Sequence, residues 1–144
     1  MLDYSALNKI VSQDIDIVLK LDLIYKLAST GFSKLSRFSV ALIVDKTVSN
    51  YYVQDRLSEV GEHDYKEHQL KSATSLGSIA FTSTIRIIDE LSEMTQTERI
   101  SELISKGHRS SYTFPISHHG ETIGFIFINA SQSSYFNQEI VARD

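Results

Sequence analysis

The stretch from Gly107 to Phe136, GHRSSYTFPISHHGETIGFIFINASQSSYF, constrains the fold more than any other part of the chain. Tyr112, Phe114 and Ile116 alternate with Ser111, Thr113 and Pro115, so a strand here has one apolar face and one more polar face. Ile123 to Ile128 is apolar on both faces, as a strand covered on both sides must be. Between them, His118-His119-Gly120-Glu121 reads as the loop, with Gly120 suited to φ > 0. Gly124 has no side chain, which predicts a close approach of a helix or ligand to the sheet. The stretch is therefore an antiparallel hairpin, and the rest of the chain must cover it.

Residues 5 to 30 read as one long helix. Ile10, Ile17, Leu21, Ile24 and Ala28 line one helical face, and Ile15, Leu19, Leu23 and Leu27 form a second line. Asp16 with Lys20 and Asp22 with Lys26 are i,i+4 pairs between the lines, each worth roughly 0.2–0.5 kcal/mol. A helix apolar on two sides needs cover on two sides. One cover is the sheet; the other is either the same helix of a second subunit or loops of the same subunit. Gly31 is placed to end this helix.

Arg37 to Asp45, RFSVALIVD, is the first strand and is apolar on both faces toward its middle, which predicts a central position. Lys46 to Asn50 is the expected turn, and Tyr51 to Leu57 a more polar strand nearer an edge. Between Ser58 and Ser75 the pattern fades into charge, two histidines and few apolar anchors. A loop of that length inside one domain commonly acts as a lid. Leu76 to Phe81 reads as a short helix and Thr84 to Ile88 as a short strand ending at Asp89. Thr95 and Glu98 form a T-x-x-E capping box, followed by the buried stripe Ile100, Leu103, Ile104, by Lys106 in the last turn, and by Gly107 as the stop. After Phe136, Asn137 is placed to cap a final helix. QEIVARD is too short to stand alone, which predicts that residues 137–144 begin a linker helix continuing into a further domain.

Composition narrows the function. The chain has 144 residues, the size of one domain, with a net charge of −4 and no run of Lys and Arg, which argues against a nucleic-acid backbone as partner. It has no cysteine, so disulfides, thiolate metal sites and cysteine nucleophiles are excluded, and a reducing cytoplasm is the expected location. No apolar run approaches the ~20 residues that span a membrane. The six glycines are isolated, so no phosphate-cradling glycine loop exists, and no serine sits in a G-x-S-x-G elbow. His63, Asp64, Glu67 and His68 have a spacing able to hold a divalent metal on a helix, with a solvated loop face as the alternative.

Taken together, LGSIAFTSTIRIIDEL (76–91), ISKGHRSSYTFPI (104–116) and GETIGFIFINA (120–130), with the aromatic Phe136 behind them, resemble the GAF domain in order and spacing over nearly the whole chain. The resemblance implies a single α+β domain, GAF-like and PAS-related. Its central antiparallel sheet would have five to six strands, with helices on one face and a loop and short helix roofing a pocket on the other. It implies a small-molecule-sensing regulatory domain of a multidomain, bacterial-type signalling protein. Such a domain forms a homodimer through its N- and C-terminal helices, relays to an output domain and is not itself an enzyme. A dimerisation or spacer module that binds nothing is the alternative.

Candidate pocket groups are Tyr51, Arg86, Asp89, Arg109, Ser111, Thr113 and Asn129, with Tyr112, Phe114, Phe125 and Phe127 as aromatic walls or plain core. Arg109 either anchors an anion or pairs with Asp89 or the helix carbonyls. The sequence specifies no cofactor; for a haem-binding member His63 or His68 would be the axial candidate. Cyclic-nucleotide-binding members carry Asn-Lys, then Phe and an acidic pair. Here Asn129 and Phe136 fit, but Ala130 replaces the lysine and Ile140-Val141 stand in place of the acidic pair. The missing cysteine likewise departs from most bilin-binding members and from the family's free methionine sulfoxide reductases.

Overall fold

The computed structural model describes residues 3–57, 67–69, 85–95 and 97–137. The elements are α1 (Tyr4–Ser12), α2 (Ile17–Gly31), β1 (Leu35–Val44), β2 (Thr47–Asp55), β3 (Glu67–Gln69) and β4 (Arg86–Ile88). A 3-10 turn (Leu91–Glu93), α3 (Glu98–Lys106), β5 (Ser110–His118) and β6 (Glu121–Ala130) complete them. The six strands form one sheet in the order β3-β2-β1-β6-β5-β4, and β1 and β6 are its centre, as their two-sided apolar patterns predict. Every pairing is antiparallel.

The single N-terminal helix expected over 5–30 is two helices. Asp16 accepts from the Val18 amide as N-cap of α2, so its carboxylate serves the helix end instead of Lys20. Lys20 Nζ donates to the Val11 carbonyl across the break at 2.9 Å, and Asp22 accepts from the Tyr52 hydroxyl of β2. Ser12 Oγ donates to the Asn8 and Lys9 carbonyls and Asp16 accepts from the Val18 amide, so short polar side chains compete for backbone groups where the apolar spacing would have continued the helix. Gly31 is the last residue of α2, and Phe32 caps it.

The other boundaries moved for local reasons. Asp45 and Lys46 both take left-handed φ (49° and 63°), so the first hairpin turns in two residues and β2 starts at Thr47, not Tyr51. Thr97, not Thr95, caps α3, accepting from the Ile100 amide at 3.2 Å, while Gly107 ends the helix at φ 105° as expected. The second hairpin turns on His119 and Gly120 (φ 51° and 76°). A Cβ at Gly124 would collide with the Ala41 carbonyl oxygen, so the close neighbour there is strand β1, not a helix or ligand. Glu67–Gln69, inside the expected loop, pairs with β2 as a polar edge strand. Asn137 lies inside a helical turn over 135–137 and donates to Asp89 instead of capping. The expected helices at 76–81 and 138–144 lie outside the described residues.

The core lies between the sheet and α1–α2. Phe38 and Val40 of β1, Tyr52 of β2, Tyr112 of β5 and Ile128 of β6 meet Leu21 and Ala28 of α2 there, with Phe136 fully buried beside them. Phe136 packs edge-on to Phe32 at 5.6 Å between ring centroids and against Tyr112 at the same distance. Tyr112 and Phe114 thus belong to the helix-covered face. The helices are not all on one face: α3 lies on the other, where Ile100 and Leu103 pack on Ile88 and Leu91. No helix of the described residues is long and apolar enough to cross a membrane.

Candidate functional site

Strand register places polar side chains in rows on the face turned away from α2. Asp55, Arg37, Asn129, Ser111 and Ile88 are successive cross-strand partners from β2 to β4. The next row runs Val53, Ser39, Phe127, Thr113 and Arg86. Apolar groups take over in the third, where Ala41 and Phe125 join Val48. Arg37, Ser39, Ser111, Thr113 and Asn129 are all buried. Buried polar groups need partners, because an unmade hydrogen bond costs about 1–3 kcal/mol.

Arg37 has the most elaborate set. Its Nε lies 3.4 Å from Asp55 Oδ2, and an Nη donates to Ser39 Oγ at 2.8 Å. The same carboxylate oxygen is 3.0 Å from His108 Nε2, and His108 Nδ1 is 2.6 Å from Ser36 Oγ. A register irregularity between Leu35 and Arg37 turns Ser36 toward this chain of groups. Burial alone would raise the Asp55 pKa. The hydrogen bond and charge of His108, the Leu57 amide and the Arg37 charge outweigh it and lower the carboxyl from 3.8 to about 2. A serine, a histidine and an aspartate in line suggest a nucleophile, but Ser36 is 3% exposed and His108 fully buried, so no substrate carbonyl reaches the hydroxyl. The chain instead ties the start of β5 to β1 and β2 and holds the Arg37 guanidinium in one orientation.

Two further guanidinium groups stand at the other end of the face. Arg86 donates to Thr113 Oγ1 at 3.1 Å, and desolvation lowers its pKa to about 10. From α3, the Arg99 guanidinium lies 4.1 Å above the Phe127 ring, a cation–π contact. Between the two ends, fully buried Asn129 donates from Nδ2 to the Ser110 carbonyl at 3.3 Å, while its Oδ1 has no hydrogen-bond partner among the described residues.

No family model matches the chain, and no curated protein matches it. Solved structures do. The GAF domain of a two-component sensor histidine kinase from Bacillus halodurans superposes with a TM-score of 0.67 at 15% identity, over 88% of this chain and 84% of that one. The phycocyanobilin-bound GAF domain of a cyanobacterial phytochrome gives 0.66 at 14% identity, over 99% and 88%. The free methionine-R-sulfoxide reductase of Neisseria meningitidis in complex with its substrate gives 0.69 at 12% identity, over 94% and 75%. The chain has the GAF fold. Sensor domains and an enzyme share that fold, so the site, not the fold, must separate them.

Within the GAF fold, the expected site residues divide into two groups. Arg86, Ser111, Thr113 and Asn129 come together on the one face, with Phe125 and Phe127. Tyr51 is the extra residue of the bulge opposite Val40 and Ala41 and is exposed. Asp89 is exposed and tethers the chain after β6, accepting from Asn137 through its carboxylate and from the Ser134 amide through its carbonyl at 2.8 Å. Arg109 is exposed too; its backbone bridges Leu91 and Ala130, and its charge helps hold the Glu90 carboxyl below its ordinary value, after the Ser133 and Ser92 hydroxyls. His63 lies outside the described residues and His68 contributes its backbone to β3. Among the described residues no group of three or more His, Cys, Asp or Glu could hold a metal. Sequence reading missed Ser36, Arg37, Ser39, Asp55 and His108. A signal existed for two of them: Arg37 and Ser39 share the alternation of the central strand. Asp55 and His108 are far apart in sequence and only the folded sheet joins them.

Proposed function

We propose that this GAF-fold domain is a sensory and regulatory module that binds a small molecule on the sheet face bearing Arg37, Ser39, Ser111, Thr113 and Asn129. The observation that carries this reading is a buried, unpartnered Asn129 Oδ1 amid polar side chains, on a face where plain packing would favour apolar residues. The module works in the cytoplasm as part of a multidomain, bacterial-type signalling protein, passes its state to an output domain and performs no chemistry itself. Amide spectra of the isotopically labelled chain, titrated with a chemically broad library, test it. A true ligand moves the Ser111, Thr113 and Asn129 amides saturably; a library that moves none of them removes the sensing role.

A second reading, a homodimeric spacer, rests on a different surface. Val11, Ile17, Val18 and Leu19 are about half exposed around the α1–α2 junction (48–54%). They include part of the second apolar line of the sequence, whereas Leu21, Ile24 and Ala28 face the core. On this reading a second copy covers them. Leu19→Asp then converts a concentration-dependent dimer to a monomer in sedimentation equilibrium, while shifting folding stability by less than about 0.5 kcal/mol, as surface changes do. A wild-type chain that stays monomeric at high concentration rules the dimer out.

A further inference from the structure

The chemistry of the ligand can be narrowed from two neighbouring side chains of the polar face, given the sensing role proposed above. Asn129 is fully buried, and its Nδ2 is committed to the Ser110 carbonyl, which fixes the amide orientation and leaves Oδ1 as the atom to be satisfied. Ser111, directly opposite on β5, is 2% exposed, and among the described residues no hydrogen bond engages its hydroxyl. The face therefore holds, side by side, an acceptor that needs a donor and a hydroxyl that can supply one. The two do not satisfy each other, since Asn129 Oδ1 has no partner. A buried pair left in that state is a standing cost to the fold.

What satisfies both atoms follows from what each can do. Asn129 Oδ1 only accepts, so the incoming group must bring an N–H or O–H. The Ser111 hydroxyl has a hydrogen to give, so the same group must bring an acceptor beside its donor. A carboxylate brings acceptors alone and would set an oxygen lone pair against Oδ1. An ammonium brings donors alone, and a buried cation needs a counter-charge. Asp55, the carboxylate of this row, is already engaged by Arg37, His108 and the Leu57 amide. A neutral group with both functions on one edge has neither defect. Cross-strand partners have Cβ atoms about 4.5–5.5 Å apart, a spacing within reach of the two ends of one planar amide edge.

We infer that the face takes a neutral amide edge, as a primary amide, a lactam or an imide presents. The ligand N–H donates to Asn129 Oδ1, and the carbonyl next to it accepts from the Ser111 hydroxyl.

Calorimetry and amide spectra of the whole chain test this with matched probes. Pyrrolidinone, succinimide and benzamide carry the edge; their fully N-methylated forms lack the donor, and pyrrolidine and benzylamine lack the carbonyl. At least one edge-bearing probe should move the Ser111, Thr113 and Asn129 amides saturably, and its counterparts without donor or carbonyl should bind at least tenfold more weakly. Asn129→Leu should abolish the preference for N–H over N-methyl. Ser111→Ala, a milder change that keeps the test open should Asn129→Leu not fold, should weaken the edge-bearing probe about tenfold and leave that preference in place. N-methylated probes binding as well as their parents overturn the inference. So does a crystal structure in which a water bridges Asn129 Oδ1 and Ser111 Oγ and stays there at saturating probe. A ligand from the broad library that moves these amides without an N–H beside a carbonyl overturns it while leaving the sensing role intact. If no edge-bearing probe moves them, the inference falls, and the broad library then decides the sensing role separately.

Discussion

On β6, Ile128 faces α2 among Phe38, Tyr112 and Phe136, whereas Asn129, one residue further on, faces the other way between Arg37 and Ser111. Both are buried to 2% exposure or less, so burial does not distinguish them; chemistry does. The helix-covered face gains from every apolar group removed from water, at about 25 cal/mol per Å². The opposite face must recover the desolvation of two arginines, an aspartate and several hydroxyls through hydrogen bonds, and net gains there are only about 1 kcal/mol each. Apolar burial is thus concentrated on one side of the same strands and hydrogen-bonded polar groups on the other. A domain that only needed to fold would not be expected to hold so many polar groups at its centre.

The largest effect expected is on the helix-covered face. Phe38→Ala removes a ring that touches both Tyr25 and Tyr52, and a loss of about 3–5 kcal/mol in urea denaturation is expected. A loss under about 1 kcal/mol would break the division of labour between the faces. Next in size is the acid limb on the polar side. The Asp55 carboxyl is depressed from 3.8 to about 2, so its contribution is full above the unfolded pKa and is lost as pH falls from about 5 through 2. At nearly two pH units this amounts to about 2 kcal/mol. Urea midpoints at pH 6, 4 and 2 should fall by that amount in the wild type and less steeply in Asp55→Asn. Equal slopes in both would show that Asp55 is not the group that titrates.

The two faces were also unequally legible in the sequence. Alternation is a local signal, so Tyr112, Phe114 and Ile116 announced an apolar face, and the two-sided runs in β1 and β6 announced the sheet centre. The polar face depends on pairing across strands, which no local window contains: Asp55 meets Arg37 through the β1–β2 register, and His108 reaches Asp55 from the end of α3. Residues singled out by motif alone, Asp89 and Arg109, lie exposed because their work is done by backbone and end tethers. Caps show the same limit at short range. Thr95 and Thr97 both precede an apolar stripe, and only the helix start at Glu98 separates them. Thr97→Ala is therefore expected to cost about 1 kcal/mol and Thr95→Ala less than about 0.5 kcal/mol, read from thermal unfolding.

The finest separation of the faces is at Thr113. Thr113→Val keeps the shape of a fully buried side chain and its β-branched backbone preference, and removes only the oxygen that accepts from Arg86. If the hydroxyl serves the fold, the variant loses about 1 kcal/mol with an unchanged urea slope, since a hydrogen bond to a charged donor disappears inside the sheet. If it is kept for a ligand, burying one methyl group in place of the hydroxyl compensates and stability holds or rises, as at sites where function is retained against stability. We expect the loss, because Arg86 is partly shielded from water and Thr113 is its cross-strand partner in the ladder. A rise in stability would move Thr113 from the framework of the polar face into its proposed binding surface.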